Sequence, residues 1–136
     1  MAAPSPPSFA AWRAGARSYT HRGHAISYHL EGQGPALLIV HGFPSASWDF
    51  APLWPALTAR FHVIAPDLLG FGDSAKPADH DYTLVDQASM IEGLLAEQRI
   101  TRAHVLAHDY GDSVAQELLA RHEERARRGE RGLVLQ

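Results

Sequence analysis

The sequence predicts an α/β fold, a mostly parallel sheet flanked by helices. Two kinds of segment carry this expectation. Ala36–Val40 (ALLIV) and Phe61–Ala65 (FHVIA) are short continuous apolar runs, as expected for strands covered on both faces, and Ala103–Ala107 reads as a third strand. Segments of helical spacing lie between and after them, and strands alternating with helices imply a parallel sheet built from right-handed crossovers. In such sheets chemistry sits in the loops at the carboxyl ends of the strands, here the loops after Val40, Ala65 and Ala107.

The elements follow in order. Met1–Ala16 is rich in Ala, Pro and Ser and reads as a flexible tail, without the basic start and apolar centre of a signal peptide. Arg17–His21 and Ala25–Glu31 read as two short strands around Arg22-Gly23-His24. Trp48–Arg60 carries Phe50, Leu53, Trp54 and Leu57 at helical spacing, but Pro52 and Pro55 confine it to short pieces. Leu68–Asp81 is a long loop with Gly70 and Gly72. Thr83 opens a helix as its cap, Asp86 completes a capping box, and Leu84, Ala88, Ile91 and Leu95 form the apolar stripe, with Gly93 weakening it slightly. Tyr110–His122 is a helix with Val114, Leu118 and Arg121 on one face. Glu123–Arg131 reads as a solvated helix end and loop, and Gly132–Leu135 begins another strand.

The composition bounds the class. The 136 residues suffice for one domain, read as residues 17–136 behind the tail of residues 1–16. With 46% hydrophobic and 20% charged residues the chain is globular, and its net charge of −3 offers no field for nucleic acid. No apolar run reaches the roughly 18 residues of a membrane span. The absence of cysteine fits a reducing compartment, so a cytoplasmic location is expected. The histidines form no metal-ligand pattern, and neither a metal nor a cofactor is expected.

The chemistry-bearing segment is His108-Asp109-Tyr110-Gly111. It follows a buried strand and starts a helix with no loop between, which forces its central residue into strained backbone geometry. Ala107 and Gly111 are the small neighbours this turn needs. Asp109 then stands at the head of the sheet and at a helix N-terminus, where its ionised form is favoured. Unlike serine, an ionised carboxylate needs no base to attack. The plain alternative is a helix N-cap. Gly111-Asp112-Ser113-Val114-Ala115 approaches the serine-hydrolase pattern, but Ser113 falls a full turn inside the helix. His41-Gly42-Phe43-Pro44 leaves the neighbouring strand, and the Phe43 N–H paired with the Tyr110 N–H makes a two-donor oxyanion hole. Asp67, Asp73 and Ser74 read as hydrogen-bonders that fix their loop. Trp48 reads as a core aromatic rather than a pocket wall.

His41-Gly-Phe-Pro44, Asp67-Leu-Leu-Gly-Phe-Gly-Asp-Ser-Ala-Lys-Pro77 and His104-Val-Leu-Ala-His-Asp-Tyr-Gly111 resemble the α/β-hydrolase superfamily, in its epoxide hydrolase and haloalkane dehalogenase branch. His108–Leu119 is more similar still to the mesoderm-specific-transcript-like group, which is epoxide-hydrolase-like. The resemblance spans about Tyr19–Leu135. It implies that Asp109 attacks an electrophilic carbon of a small hydrophobic molecule, forming an alkyl-enzyme ester, with the Phe43 and Tyr110 amides holding the oxyanion. Many relatives have glycine at the position of Ala107. The dehalogenases have tryptophan at Tyr110 and asparagine at Phe43, so these positions point towards an epoxide-hydrolase-like protein; a haloacid-type dehalogenase or a serine esterase through Ser113 ranks lower.

The resemblance also implies further strands, a helical cap, a second acid and a histidine base. None of the nine histidines suits the base role, so the chain reads as the N-terminal portion of the fold, incomplete at its C-terminus. A non-catalytic remnant, pairing with another chain through an exposed sheet edge, is the alternative expectation.

Overall fold

The computed structural model describes residues 4–136. A short helix, α1 (Phe9–Ala14), precedes the hairpin β1 (Arg17–His21) and β2 (His24–Glu31). Then come β3 (Ala36–Val40), a 3₁₀ segment (Ser47–Leu53), α2 (Trp54–Thr58) and β4 (His62–Pro66). The chain continues through α3 (Leu84–Glu97), β5 (Arg102–Ala107), α4 (Tyr110–Arg127) and β6 (Val134–Leu135).

The six strands form one sheet in the order β1-β2-β4-β3-β5-β6. β3 runs parallel to both β4 and β5, and β5 parallel to β6; β1–β2 and β2–β4 are antiparallel. The parallel centre follows from the apolar runs, and alternate residues of β3 serve opposite faces. Leu38 and Val40 join Ile64, Ile91, Leu94, Val114 and Leu118 in the core beneath α3 and α4. Leu37 and Ile39 join Trp12, Trp54, Val63 and Ala65 on the other face. The loops after β3, β4 and β5 therefore leave the same edge of the sheet.

The first segment departs from expectation. Within the stretch read as a flexible tail, Phe9–Ala14 is helical, with Ser8 accepting a hydrogen bond from the Ala11 N–H at 3.1 Å. The physical reason is Trp12, whose indole is buried against Trp54 and the His29 ring. Residues 1–3 of that stretch lie outside the described residues.

Helix α3 is capped as expected, the Thr83 hydroxyl accepting from the Asp86 N–H at 3.0 Å. The Asp86 carboxylate, however, accepts hydrogen bonds from His21 Nε2 at 2.9 Å and His80 Nε2 at 2.8 Å, tying the β1–β2 turn and residues 75–83 to the helix. Ala88, Ile91 and Leu95 of the apolar stripe are buried, whereas Leu84 is exposed because it begins the helix at the sheet's rim. Gly93 faces the Tyr19 hydroxyl, which occupies the place a methyl would take, so its small size serves packing. Helix α4 runs on to Arg127, past the expected end at His122, with Arg121 and Arg125 both pairing with Glu92 of α3. β6 comprises only Val134 and Leu135.

Candidate active site

Asp109 joins β5 to α4 directly, with φ 54° and ψ −122°. This conformation costs an ordinary L-residue about 1–3 kcal/mol, and it persists only where the surroundings impose it. Here they do. The amide of Gly111 donates back to the His108 carbonyl at 2.9 Å, closing the turn. A methyl on Gly111 would press into the carbonyl oxygens of Val40 and His41, so only glycine lets α4 start this close to β3. Gly42 is equally constrained, since a Cβ there would lie 2.6 Å from Asp109 Cβ.

Although Asp109 occupies the N-cap position of α4, its carboxylate makes no capping hydrogen bond to that helix's later amides. It reaches across to the neighbouring loop instead, where Oδ1 accepts the Phe43 N–H at 2.9 Å. The Phe43 amide and then the Tyr110 amide hold its carboxyl below the usual carboxylate range, with a smaller pull from the His108 charge. The side chain is open to solvent. The arrangement is a solvent-open carboxylate at the head of α4, with Oδ1 held by the Phe43 amide of the neighbouring loop.

Buried hydrogen bonds hold the two flanking loops in place. His41 is fully buried: Nε2 accepts from the Leu68 N–H and Nδ1 lies 2.9 Å from the Gly42 carbonyl. Burial pushes the ring below its ordinary pKa, against the pull of the Gly42 carbonyl, Asp67 and Asp49. His41 is therefore a neutral clamp between the loops. Asp67 Oδ1 accepts from the Ser47 N–H at 2.9 Å and from Ser47 Oγ at 2.6 Å, and Oδ2 accepts from the Asp73 N–H at 2.9 Å. Ser74 Oγ donates to the Asp67 carbonyl and accepts from the Ser27 N–H. Asp67 and Ser74 thus fix their loop as the residue types suggest, while the Asp73 carboxylate turns outward to Arg13.

The Phe71 ring was not singled out by sequence. It packs against His41, Phe43 and Tyr110, with ring centroids 5.3, 6.2 and 5.8 Å away, and joins Asp109's two amide partners and His41 into one aromatic cluster. The Tyr110 phenol is pushed up by burial and drawn back by Gln87, whose amide also clips the Leu69 backbone on both sides. The one foothold for Phe71 in the sequence was its place between Gly70 and Gly72. Trp48 lies with Phe9 and Trp12, as a core aromatic should. Ser113 sits on the exposed surface of α4, one turn past Asp109. Among the described residues no cluster of three or more His, Asp or Glu could hold a metal, and no helix is long and apolar enough to cross a membrane.

A parallel sheet whose strand-end loops converge on a strand–turn–helix reversal is the architecture of an α/β hydrolase. The chain belongs to the alpha/beta hydrolase fold family, whose model matches residues 35–129. It is 42% identical over 125 residues to the mesoderm-specific transcript protein of Mus musculus, covering 87% of this chain and 37% of that protein. A haloalkane dehalogenase of Bradyrhizobium diazoefficiens is 34% identical over 101 residues, 73% of this chain and 32% of the enzyme. Among solved structures, a Pseudomonas aeruginosa protein described as an epoxide hydrolase superposes with a TM-score of 0.74 at 25% identity, covering 80% of this chain and 37% of its own. The chain thus spans well under half the length of the relatives it matches.

Proposed function

We propose that this chain carries the nucleophile half of an epoxide-hydrolase-like active site, with Asp109 as nucleophile and the Phe43 and Tyr110 amides as oxyanion donors. The observation that supports it best is the direction of the Asp109 side chain. A capping aspartate would turn back onto its own helix, whereas this one faces the Phe43 amide. In the reaction, the second carboxylate oxygen bonds to an epoxide carbon. The carbon–oxygen bond of the ring breaks, and the departing oxygen takes its proton from water. The product is an alkyl ester on Asp109 whose carbonyl oxygen stays on the Phe43 amide. When water attacks that ester, the charge develops on the same oxygen, where losing one donor typically costs about 10²–10³ in rate.

The aromatic cluster of Phe43, Phe71 and Tyr110 favours a small apolar substrate with an electrophilic carbon. Tyr110 and Phe43, standing where the dehalogenase pattern has tryptophan and asparagine, favour epoxides over haloalkanes. A cytoplasmic location is in keeping with a chain free of cysteine.

Release of the ester needs a base to activate water, a contribution of about 10²–10⁴. Among the described residues no histidine is hydrogen-bonded to Asp109, and the resemblance assigns the complementary base and acid to a further part of the fold. The outer edge of β5 offers a place for that part. β6 pairs only with Arg102 and Ala103, leaving the edge of His104–Ala107 open beside the exposed Leu106 and Leu119.

Intact-mass measurement after incubation with a small epoxide tests the reading. The expected result is one stable adduct of the epoxide's full mass, absent from Asp109→Asn. An unmodified wild-type chain, or equal labelling of the variant, would overturn it.

A further inference from the structure

We propose that α1 is a brace for the loop that presents the Phe43 amide, so that residues ahead of the sheet set the oxyanion geometry at Asp109. This rests on the reading of that amide given above. Two routes connect α1 to the loop, one apolar and one polar, and they grip it from different sides.

The apolar route runs through Trp48, which lies two residues past Ala46 in the 3₁₀ segment. Phe9 meets the Trp48 ring edge-on with centroids 5.1 Å apart, and Trp12 meets it at 5.8 Å. Trp12 is itself fixed: it stacks on His29 at 3.8 Å, and His29 Nε2 lies 2.7 Å from the Trp12 carbonyl. His29 belongs to β2, so Trp48 is held through α1 to the sheet.

The polar route starts at Arg13, whose Nε and second terminal nitrogen donate to the two Asp73 oxygens, each at 3.0 Å. The Asp73 N–H donates to Asp67 Oδ2 at 2.9 Å. Asp67 Oδ1 takes both the N–H and the hydroxyl of Ser47. Ser47 lies four residues from Phe43. The exposed ion pair is weak alone, as such pairs usually are, but through the Asp73 backbone it connects to Asp67, a buried aspartate that already holds the loop.

What lies between the two routes explains why a brace matters. A cavity of about 340 Å³ is lined by Pro44, Ser45 and Ala46 on one side and by Phe9 and Trp12 on the other. Direct packing against α1 does not fill that space, so α1 acts on the loop through Trp48 and Ser47.

The test reads the site without turnover, so it is independent of whether Asp109 reacts. Amide NMR of the full chain is recorded from pH 2.5 to 7 for wild type, Trp12→Leu and Arg13→Ala. In the wild type, the Phe43 and Tyr110 amide signals both follow Asp109 ionisation. In Trp12→Leu, the Phe43 amide is expected to move upfield and the Asp109 midpoint to rise toward the ordinary carboxylate value, while the Tyr110 signal stays near its wild-type position. Arg13→Ala should show the same pattern with smaller amplitude. Phe43 signals that coincide with wild type in both variants, whatever happens to the melting temperature, would overturn the brace. Should Trp12→Leu not fold, Arg13→Ala, on the surface, decides alone. Failure of the adduct experiment with these signals behaving as expected would strike the nucleophile reading and leave the brace standing.

Discussion

Asp109 and Asp86 both stand at the head of a helix, and both carboxyls are held below their ordinary value, by different means. Asp86 lies in the first turn of α3 with ordinary helical backbone, its side chain 8% exposed. Burial would raise its pKa, but hydrogen bonds from His21 and His80 outweigh it, helped by the charges of His21 and Arg22. Both of its oxygens are taken, Oδ1 by His21 and Arg22 and Oδ2 by His80. Asp109 lies one position before α4, in strained backbone, open to solvent, with only backbone amides for partners. The difference teaches that a lowered carboxyl is not by itself a sign of chemistry. Side-chain partners occupy both oxygens of Asp86, whereas Asp109 is held through backbone amides and its side chain stays open to solvent.

The largest effect that can break this comparison is at Gly111. Gly111→Ala forces a methyl into the carbonyls of Val40 and His41 and should destabilise by about 1–3 kcal/mol, seen as a lower denaturant midpoint. It should also abolish labelling of Asp109, because the turn that exposes it can no longer close. Next is Asp86→Ala, which leaves His21 and His80 buried without their acceptor and should cost about 1–3 kcal/mol. Its pH dependence follows from the sign of the shift. The folded carboxyl lies below its unfolded value of about 3.9. The stabilisation is therefore complete above that value and is lost as pH falls through the folded one. Stability curves of wild type and Asp86→Ala should run apart above pH 4 and converge below it.

A smaller effect separates the two backbones. At position 109, glycine should be more stable than alanine by about 1 kcal/mol, because the positive φ penalises a Cβ. At position 86, the order should reverse by a similar amount, about 1 kcal/mol, because the site is helical. Equal ranking at both positions would remove the case for strain at the turn. An effect of similar size concerns the cap itself. Thr83→Ala should cost α3 about 1 kcal/mol, whereas α4 has no side-chain cap at Asp109 to lose.

How much of this was legible in the sequence depended on whether the interaction was local. The strands at Ala36–Val40 and Arg102–Ala107, the cap at Thr83 and the turn at Asp109 are written in contiguous residues, and they appear where periodicity and small neighbours place them. The contact between Asp109 and Phe43 spans 66 residues; the His-Gly-Phe-Pro segment placed the Phe43 N–H in a neighbouring strand-end loop but not against the Asp109 carboxylate itself. The cluster at Asp86 was not legible. His21 and His80 are far apart in sequence, and a capping-box reading of Asp86 was equally consistent with its spacing. Helix α1 was hidden by composition, since Ala, Pro and Ser dominate its surroundings and the one residue that docks it, Trp12, acts through His29, Trp48 and Trp54. Phe71 escaped for the same reason: a loop aromatic reveals its partners only when three loops meet.

The central claim is that the β5–α4 turn delivers an already ionised nucleophile. It is tested most directly by the rate at which a primary alkyl bromide esterifies the protein, because bromide leaves without needing a proton. Peptide mapping should place the ester on Asp109 alone, with a rate constant that is flat from pH 5 to 8 and no reaction in Asp109→Asn. Labelling that survives in Asp109→Asn, or a rate that climbs through the neutral range as though a base had to be freed first, would contradict it.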